Sequence, residues 1–118
     1  MPFKFEKLEI WKLAIDVADE VHNLTRSFPK EEMFSLSSQM KRAADSISLN
    51  IAEGSTGQSN PEQLKFLGYP LRSALEVVNC LYLALRRNYI SQNQFDAFYA
   101  DLEKLTIKIQ AFRKSIKT

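Results

Sequence analysis

A chain of 118 residues with 45% apolar and 25% charged residues has the balance of one globular domain and excludes a disordered or fibrous protein. Its net charge of +2 is too small to argue nucleic-acid binding by itself, because such binding needs clustered positive charge. The lone Cys80 excludes an intrachain disulfide, and no run approaches the ~20 apolar residues of a membrane span.

The first segment repeats apolar residues in steps of four and three: Ile10, Ala14, Val17, Val21, Leu24 and Phe28. That rhythm draws one stripe along a helix. Leu8, Trp11, Ile15 and Ala18 widen it, and Pro29 is expected to end it, since α conformation is disfavoured just before a proline. A short turn then makes the first two helices antiparallel neighbours. The second helix is predicted from Ser35, as N-cap, to Glu53, with Leu36, Met40, Ala43, Ala44, Ile47 and Ile51 inward. Gly54 is expected to stop it, because glycine tolerates left-handed dihedrals.

Gly54–Asn60 is polar and reads as a surface linker. Asn60-Pro61-Glu62-Gln63 predicts a helix start, with Asn60 as N-cap and Pro61 at the first helical position. The third helix carries two seams. One is Leu64, Leu67, Leu71, Ala74, Val78, Leu81 and Leu85; the other is Phe66, Pro70, Ser73, Val77, Cys80 and Ala84. Pro70 costs a helix interior about 3 kcal/mol, yet the stripe keeps its phase across it, so a kink is expected rather than a break. Ser91-Gln-Asn-Gln94 forms a capping box for the fourth helix, whose stripe is Phe95, Phe98, Leu102, Leu105, Ile109, Phe112 and Ile116. Its acidic residues come early and its basic ones late, which complements the helix dipole. No window alternates convincingly with period two. The expected fold is all-α, an antiparallel up-down-up-down four-helix bundle spanning residues 1–118 as a single domain.

Chemistry is sparse. His22 is the sole histidine and stands in Asp19-x-x-His22, half of one of the two Glu-x-x-His motifs that a di-metal bundle needs. No Gly-Lys-Ser/Thr follows Gly54 or Gly57, so no phosphate loop is present. The reading is no catalytic residue, no cofactor and no metal, hence not an enzyme. The alternative is a small metal-dependent enzyme in the bundle core. Cys80 lies among Val77, Val78 and Leu81 as a small hydrophobe, and the stretch from Met1 to Glu6 lacks a signal-peptide core. Both point to a cytoplasmic compartment.

Two groups of polar residues have a bland and a sharp reading. The basic sets Lys41-Arg42, Arg86-Arg87, and Lys108, Arg113, Lys114 and Lys117 serve solubility and helix dipoles, or form a phosphate-facing surface for RNA or DNA. Asn50 and Glu53 are solvent-exposed near a helix end, or form a buried hydrogen-bonded pair that fixes register, and Glu76 is a similar candidate. The third helix has two seams and the first a wide face, more than one core covers. That predicts a homo-oligomer joined by the outer seam of the third helix and parts of the first or second.

Leu8-Glu-Ile-Trp-Lys-Leu-Ala14, Phe28-Pro-Lys-Glu-Glu-Met-Phe34, Ser38-Gln-Met-Lys-Arg-Ala-Ala44, Ser46-Ile47 and Asn50-Ile-Ala-Glu-Gly54 resemble a bacterial four-helix-bundle family. Some of its members are encoded in intervening sequences of large-subunit rRNA genes. Phe66-Leu67, Ser73 and Glu76 extend the match, and the fourth helix agrees by pattern. The resemblance implies a homopentamer with a central channel and no enzymatic activity. The chain is also similar to the basic accessory bundles of diversity-generating retroelements, which associate with a reverse transcriptase and nucleic acid. The partners so implied are further copies of the chain and RNA, DNA or a nucleic-acid enzyme, with no membrane. Ser48 replaces a frequent proline, and Pro70 and Arg72 stand where small residues are common.

Overall fold

The stripes become four helices in a computed structural model that describes residues 2–56 and 59–117: α1 (Glu9–Thr25), α2 (Leu36–Glu53), α3 (Asn60–Arg86) and α4 (Gln92–Ser115). One 3-10 turn, Lys4–Lys7, precedes α1 and another, Lys30–Glu32, lies between α1 and α2, and no strand occurs among the described residues. Each helix packs on its neighbours in sequence and α4 closes back on α1, so the architecture is the four-helix bundle expected. Cross-links show the alternating direction. Glu9 at the start of α1 meets Lys108 late in α4, and Asn60 at the start of α3 bonds the Lys117 carbonyl beyond α4. The molecule is a rod of 45 × 23 × 22 Å.

The core is built from the predicted stripes. Val21, Met40, Ile47, Leu67, Val77, Leu81, Leu102, Leu105 and Ile109 are all at most 1% exposed. Burial of each such side chain contributes roughly 1.5–3 kcal/mol. Ala14, Ala44 and Ala74 are fully covered and let the helices approach closely. α3 runs uninterrupted through the buried Pro70. Its inner face differs from the two seams read from the sequence. Leu67, Pro70, Ala74, Val77, Cys80, Leu81 and Ala84 are buried, whereas Leu71, Val78 and Leu85 are only half-buried. The cause is unequal packing: α3 lies most closely on α2 and more loosely on α4, and α4 touches α1 least.

The helix ends need several corrections. α1 stops at Thr25, ahead of Pro29; Phe28 is still buried, but in a run of turns (Phe28 N–H to Thr25 O, 3.1 Å). The connection to α2 is longer than a short turn and contains the Lys30–Glu32 3-10 helix. Ser35 takes the N-cap position without capping, because its hydroxyl donates to Glu32 Oε1 (2.7 Å). Gly54 is right-handed, with φ −69°, so left-handed freedom is not its role. A Cβ there would lie 3.0 Å from Phe66 Cβ, so the position needs space where α2 and α3 meet. The cap of α3 is Ser59 rather than Asn60, its hydroxyl accepting from Glu62 N–H at 3.4 Å. Part of the predicted linker, Gly57 included, lies outside the described residues. The Ser91–Gln94 capping box forms as read, with bonds of 3.1 and 2.8 Å.

The left-handed residue is instead Asn88, with φ 62°, just past α3. Tyr89 N–H reaches Ala84 O at 2.9 Å and Asn88 N–H reaches Leu85 O at 3.0 Å. This is the Schellman arrangement, in which asparagine substitutes for glycine at low cost. It turns the chain sharply into α4.

Candidate nucleic-acid and partner surface

The eight predicted basic residues do not form one surface. Lys41 and Arg42 in the first half of α2 lie toward the same end as Arg86 and Arg87, because α2 and α3 run antiparallel. Lys108, Arg113 and Lys114 belong to the last turns of α4, and Lys117 follows it, at the opposite end. Several are already engaged. Arg87 Nη1 lies 3.1 Å from Glu32 Oε2, and Lys108 Nζ lies 2.8 Å from Glu9 Oε1. Lys108 holds the Glu9 carboxyl below its usual range, first by that hydrogen bond and then by charge. Arg113 is half-buried and donates to Leu64 O across the α3–α4 seam at 3.3 Å. Arg42, Arg86, Lys114 and Lys117 are exposed and available to a polyanion.

Asn50 is half-buried, and its amide donates to Ser46 O one turn back at 2.8 Å. Glu53 and Glu76 are exposed. The polar link between α2 and α3 runs through Ser46 and Ser73, whose hydroxyls share a hydrogen bond. His22 sits on the α1–α2 seam with Nε2 at 2.9 Å from Asp45 Oδ1, so its carboxylate partner is not Asp19. Among the described residues no three histidine, cysteine or acidic side chains converge on a metal-sized space.

Two features emerge only in three dimensions. The first is an apolar face on α3 and α4. Leu75 is 70% exposed, Ile107 63%, Tyr82 52% and Tyr99 38%. Between Leu75 and Tyr99 runs a groove of about 370 Å³ floored by Leu71, Ala74, Val78 and Leu102 and edged by Glu103 and Thr106. The sequence reading placed the uncovered surface on α3 together with α1 or α2. It missed α4, because Ile107 and Tyr99 lie off the regular stripe and look like isolated surface residues. On α1, Phe5 of the first 3-10 turn packs edge-on against Trp11 at 4.9 Å, which covers part of the wide face. The second feature is a cleft at the α1–α2 end, lined by His22, Arg26, Lys30 and Lys41 with Ser37 and Met33. Arg26 and Lys30 were not among the predicted basic sets, since only folding brings them to Lys41.

Glu32 organises that end of the bundle. It accepts from Ser35, from the Tyr89 hydroxyl (2.7 Å) and from Arg87, which ties the α1–α2 connection to the end of α3. These bonds, Ser35 first, lower its carboxyl from the ordinary range, and the same contact raises the Tyr89 phenol.

A profile of the 23S rRNA-intervening sequence protein matches residues 6–111. The chain belongs to that family. The match takes in α1 through α3 and most of α4 and agrees with the resemblance carried by Leu8–Ala14 and Asn50–Gly54. Among solved structures, the chain is similar to a protein of unknown function from the S23 ribosomal protein family of Bacteroides thetaiotaomicron. The identity is 24%, the alignment covers 89% of this chain and 98% of that one, and the TM-score is 0.82. That likeness is one of fold. No curated protein matches the chain. No helix among the described residues is long and apolar enough to cross a membrane.

Proposed function

We propose that the chain is a non-catalytic subunit of a closed homo-oligomer that acts as a scaffold or adaptor. One observation carries this reading: the α3–α4 face leaves Leu75, Tyr82, Tyr99 and Ile107 open to water beside an apolar groove. Contiguous patches of this kind are uncommon on soluble monomers and mark contact surfaces. A second copy is the simplest occupant, because cyclic closure covers the face on every subunit at once. The family resemblance favours five subunits. Closure would also repeat the exposed Arg42, Arg86, Lys114 and Lys117 around a ring, which raises the local positive potential without any change of sequence. Docking of RNA, DNA or a nucleic-acid enzyme follows as the electrostatic part of the same reading.

Light scattering at micromolar concentration tests the assembly. The expected mass is a multiple of the 13.6 kDa chain, and Leu75→Glu or Ile107→Glu should reduce it. A stable, normally soluble monomer would overturn the proposal.

A further inference from the structure

The cleft between the end of α1 and the start of α2 has the chemistry of an anion site. Its volume is about 360 Å³, and its lining is His22, Thr25, Arg26, Phe28, Pro29, Lys30, Met33, Ser37 and Lys41. Arg26, Lys30 and Lys41 supply three permanent positive charges, and no carboxylate is among the lining residues. None of the three makes an ion pair among the described residues. Two carboxylates on the neighbouring elements are already paired: Asp45 with His22, itself a lining residue, and Glu32 with Arg87, Tyr89 and Ser35. Glu31 is exposed on the 3-10 turn, outside the lining.

The start of α2 adds backbone donors. A helix begins with amides that have no partner inside the helix, and their dipoles favour negative charge. Ser35 gives them no side-chain cap, and Glu32 takes the amide of Leu36. The amides of Ser37 and Ser38 are left without a capping side chain. Ser37 is a separate pointer to a ligand. Its residue is only 6% exposed, it lines the cleft, and its hydroxyl has no hydrogen-bond partner among the described residues. The Ser37 oxygen is not sealed from solvent, since the enclosed side-chain polar atom without a partner among the described residues is Arg113 Nε, so the hydroxyl is free to donate to a ligand in the cleft. The neighbouring Thr25 hydroxyl, by contrast, is satisfied by His22 O at 3.0 Å.

We propose that this cleft binds a phosphomonoester dianion. Arg26, Lys30 and Lys41 neutralise it, and the Ser37 hydroxyl and first-turn amides of α2 orient it. Phe28, Pro29 and Met33 form one apolar wall of the cleft, with Met33 48% exposed. A phosphate carried on a flat or apolar body, such as a nucleotide, therefore fits better than bare phosphate, and the volume lies in the range of small-molecule sites. The source is a free mononucleotide or the phosphorylated end of an oligonucleotide. The site lies away from the α3–α4 face and stands whether or not the chain assembles.

The test is an amide-resolved titration of the intact protein with inorganic phosphate and with adenosine 5′-monophosphate. Shifts should appear at Ser37, Ser38 and Lys41, with the nucleotide binding more tightly than phosphate. Ser37→Ala should weaken nucleotide binding by roughly tenfold, the worth of one hydrogen bond to a charged group. It should leave the melting temperature nearly unchanged, since the hydroxyl makes no hydrogen bond to the described residues. Lys41→Gln, a change at a half-buried position, provides a second variant that should also bind more weakly. A comparison of 5′-phosphorylated with unphosphorylated oligonucleotide then identifies the source. If only the phosphorylated strand competes with the mononucleotide, a strand end is a ligand; if neither competes, the ligand is the free nucleotide. No shift at these amides up to about 10 mM of either probe, or unchanged binding by both variants, would overturn the proposal.

Discussion

Two glycines, one at the end of α2 and one inside α3, should respond to the same substitution with opposite signs. Gly54→Ala places a methyl 3.0 Å from Phe66 Cβ, an atom fixed to the α3 backbone that cannot swing aside. Relief requires the end of α2 and the start of α3 to separate by some tenths of an ångström. Overpacking of this kind costs about 1–3 kcal/mol, while better helix propensity returns at most about 1 kcal/mol. The net is a loss of about 1–2 kcal/mol, or roughly 4–8 °C in melting temperature for a domain of this size. Gly68 lies inside α3, where an added Cβ would find only Arg113 Nη2, at the ordinary distance of 3.9 Å. Gly68→Ala should therefore stabilise by about 0.5–1 kcal/mol through reduced backbone entropy. Urea denaturation followed by far-ultraviolet circular dichroism, at one fixed protein concentration, measures both. If Gly54→Ala proves as stabilising as Gly68→Ala, close approach of α2 and α3 is not the reason for that glycine.

The Glu32 cluster makes a pH prediction. Its folded pKa lies below the unfolded value of 4.5, so its contribution is complete above that value and is lost as pH falls through the folded pKa. Wild type and Glu32→Gln should thus differ in urea midpoint at neutral pH and converge in acid; a constant difference would refute this. Glu20 behaves oppositely: burial first, then the Asp101 carboxylate, raises its pKa, so ionisation destabilises the fold at neutral pH. Asp101→Asn should stabilise at neutral pH, with the gain shrinking as pH falls through the raised folded pKa and gone below the ordinary glutamate value; a gain that grows in acid would count against it. Ser73→Ala removes the hydroxyl that meets Ser46 across α2 and α3 and should cost about 1 kcal/mol in the same denaturation assay. Any binding of RNA or DNA should fall steeply with salt and show little sequence preference, as filter binding across salt concentrations would reveal.

The helices were legible because apolar spacing at 3.6 residues is a local property and each stripe was long. Leu102, Leu105 and Ile109 are buried for the reason the rhythm implied. Features that depend on two elements at once were not legible. Gly54 looked like a left-handed stop, and its real constraint, Phe66, lies on the next helix. Ser35 looked like a cap, but a nearer carboxylate, Glu32, claimed its proton. Asn88 carried a readable signal, an asparagine after a helical stripe ahead of Ser91, and it marks the turn. The basic residues illustrate the limit most clearly. Adjacent pairs such as Lys41-Arg42 drew attention, yet the cleft unites Lys41 with Arg26 and Lys30, which have no basic neighbour in sequence.

The contact between Phe5 and Trp11 gives the protein its own optical probe. Trp11 is the single tryptophan of the chain, and it is half-buried beneath the N-terminal 3-10 turn. Indole emission therefore reports on the attachment of that turn to α1, while circular dichroism reports on the helices as a whole. If the two signals melt together, residues 4–7 belong to the same cooperative unit as the core. If fluorescence shifts first, the amino-terminal arm lifts from the bundle as a separate, low-energy opening, and the indole face it uncovers becomes accessible to quenchers before any helix is lost.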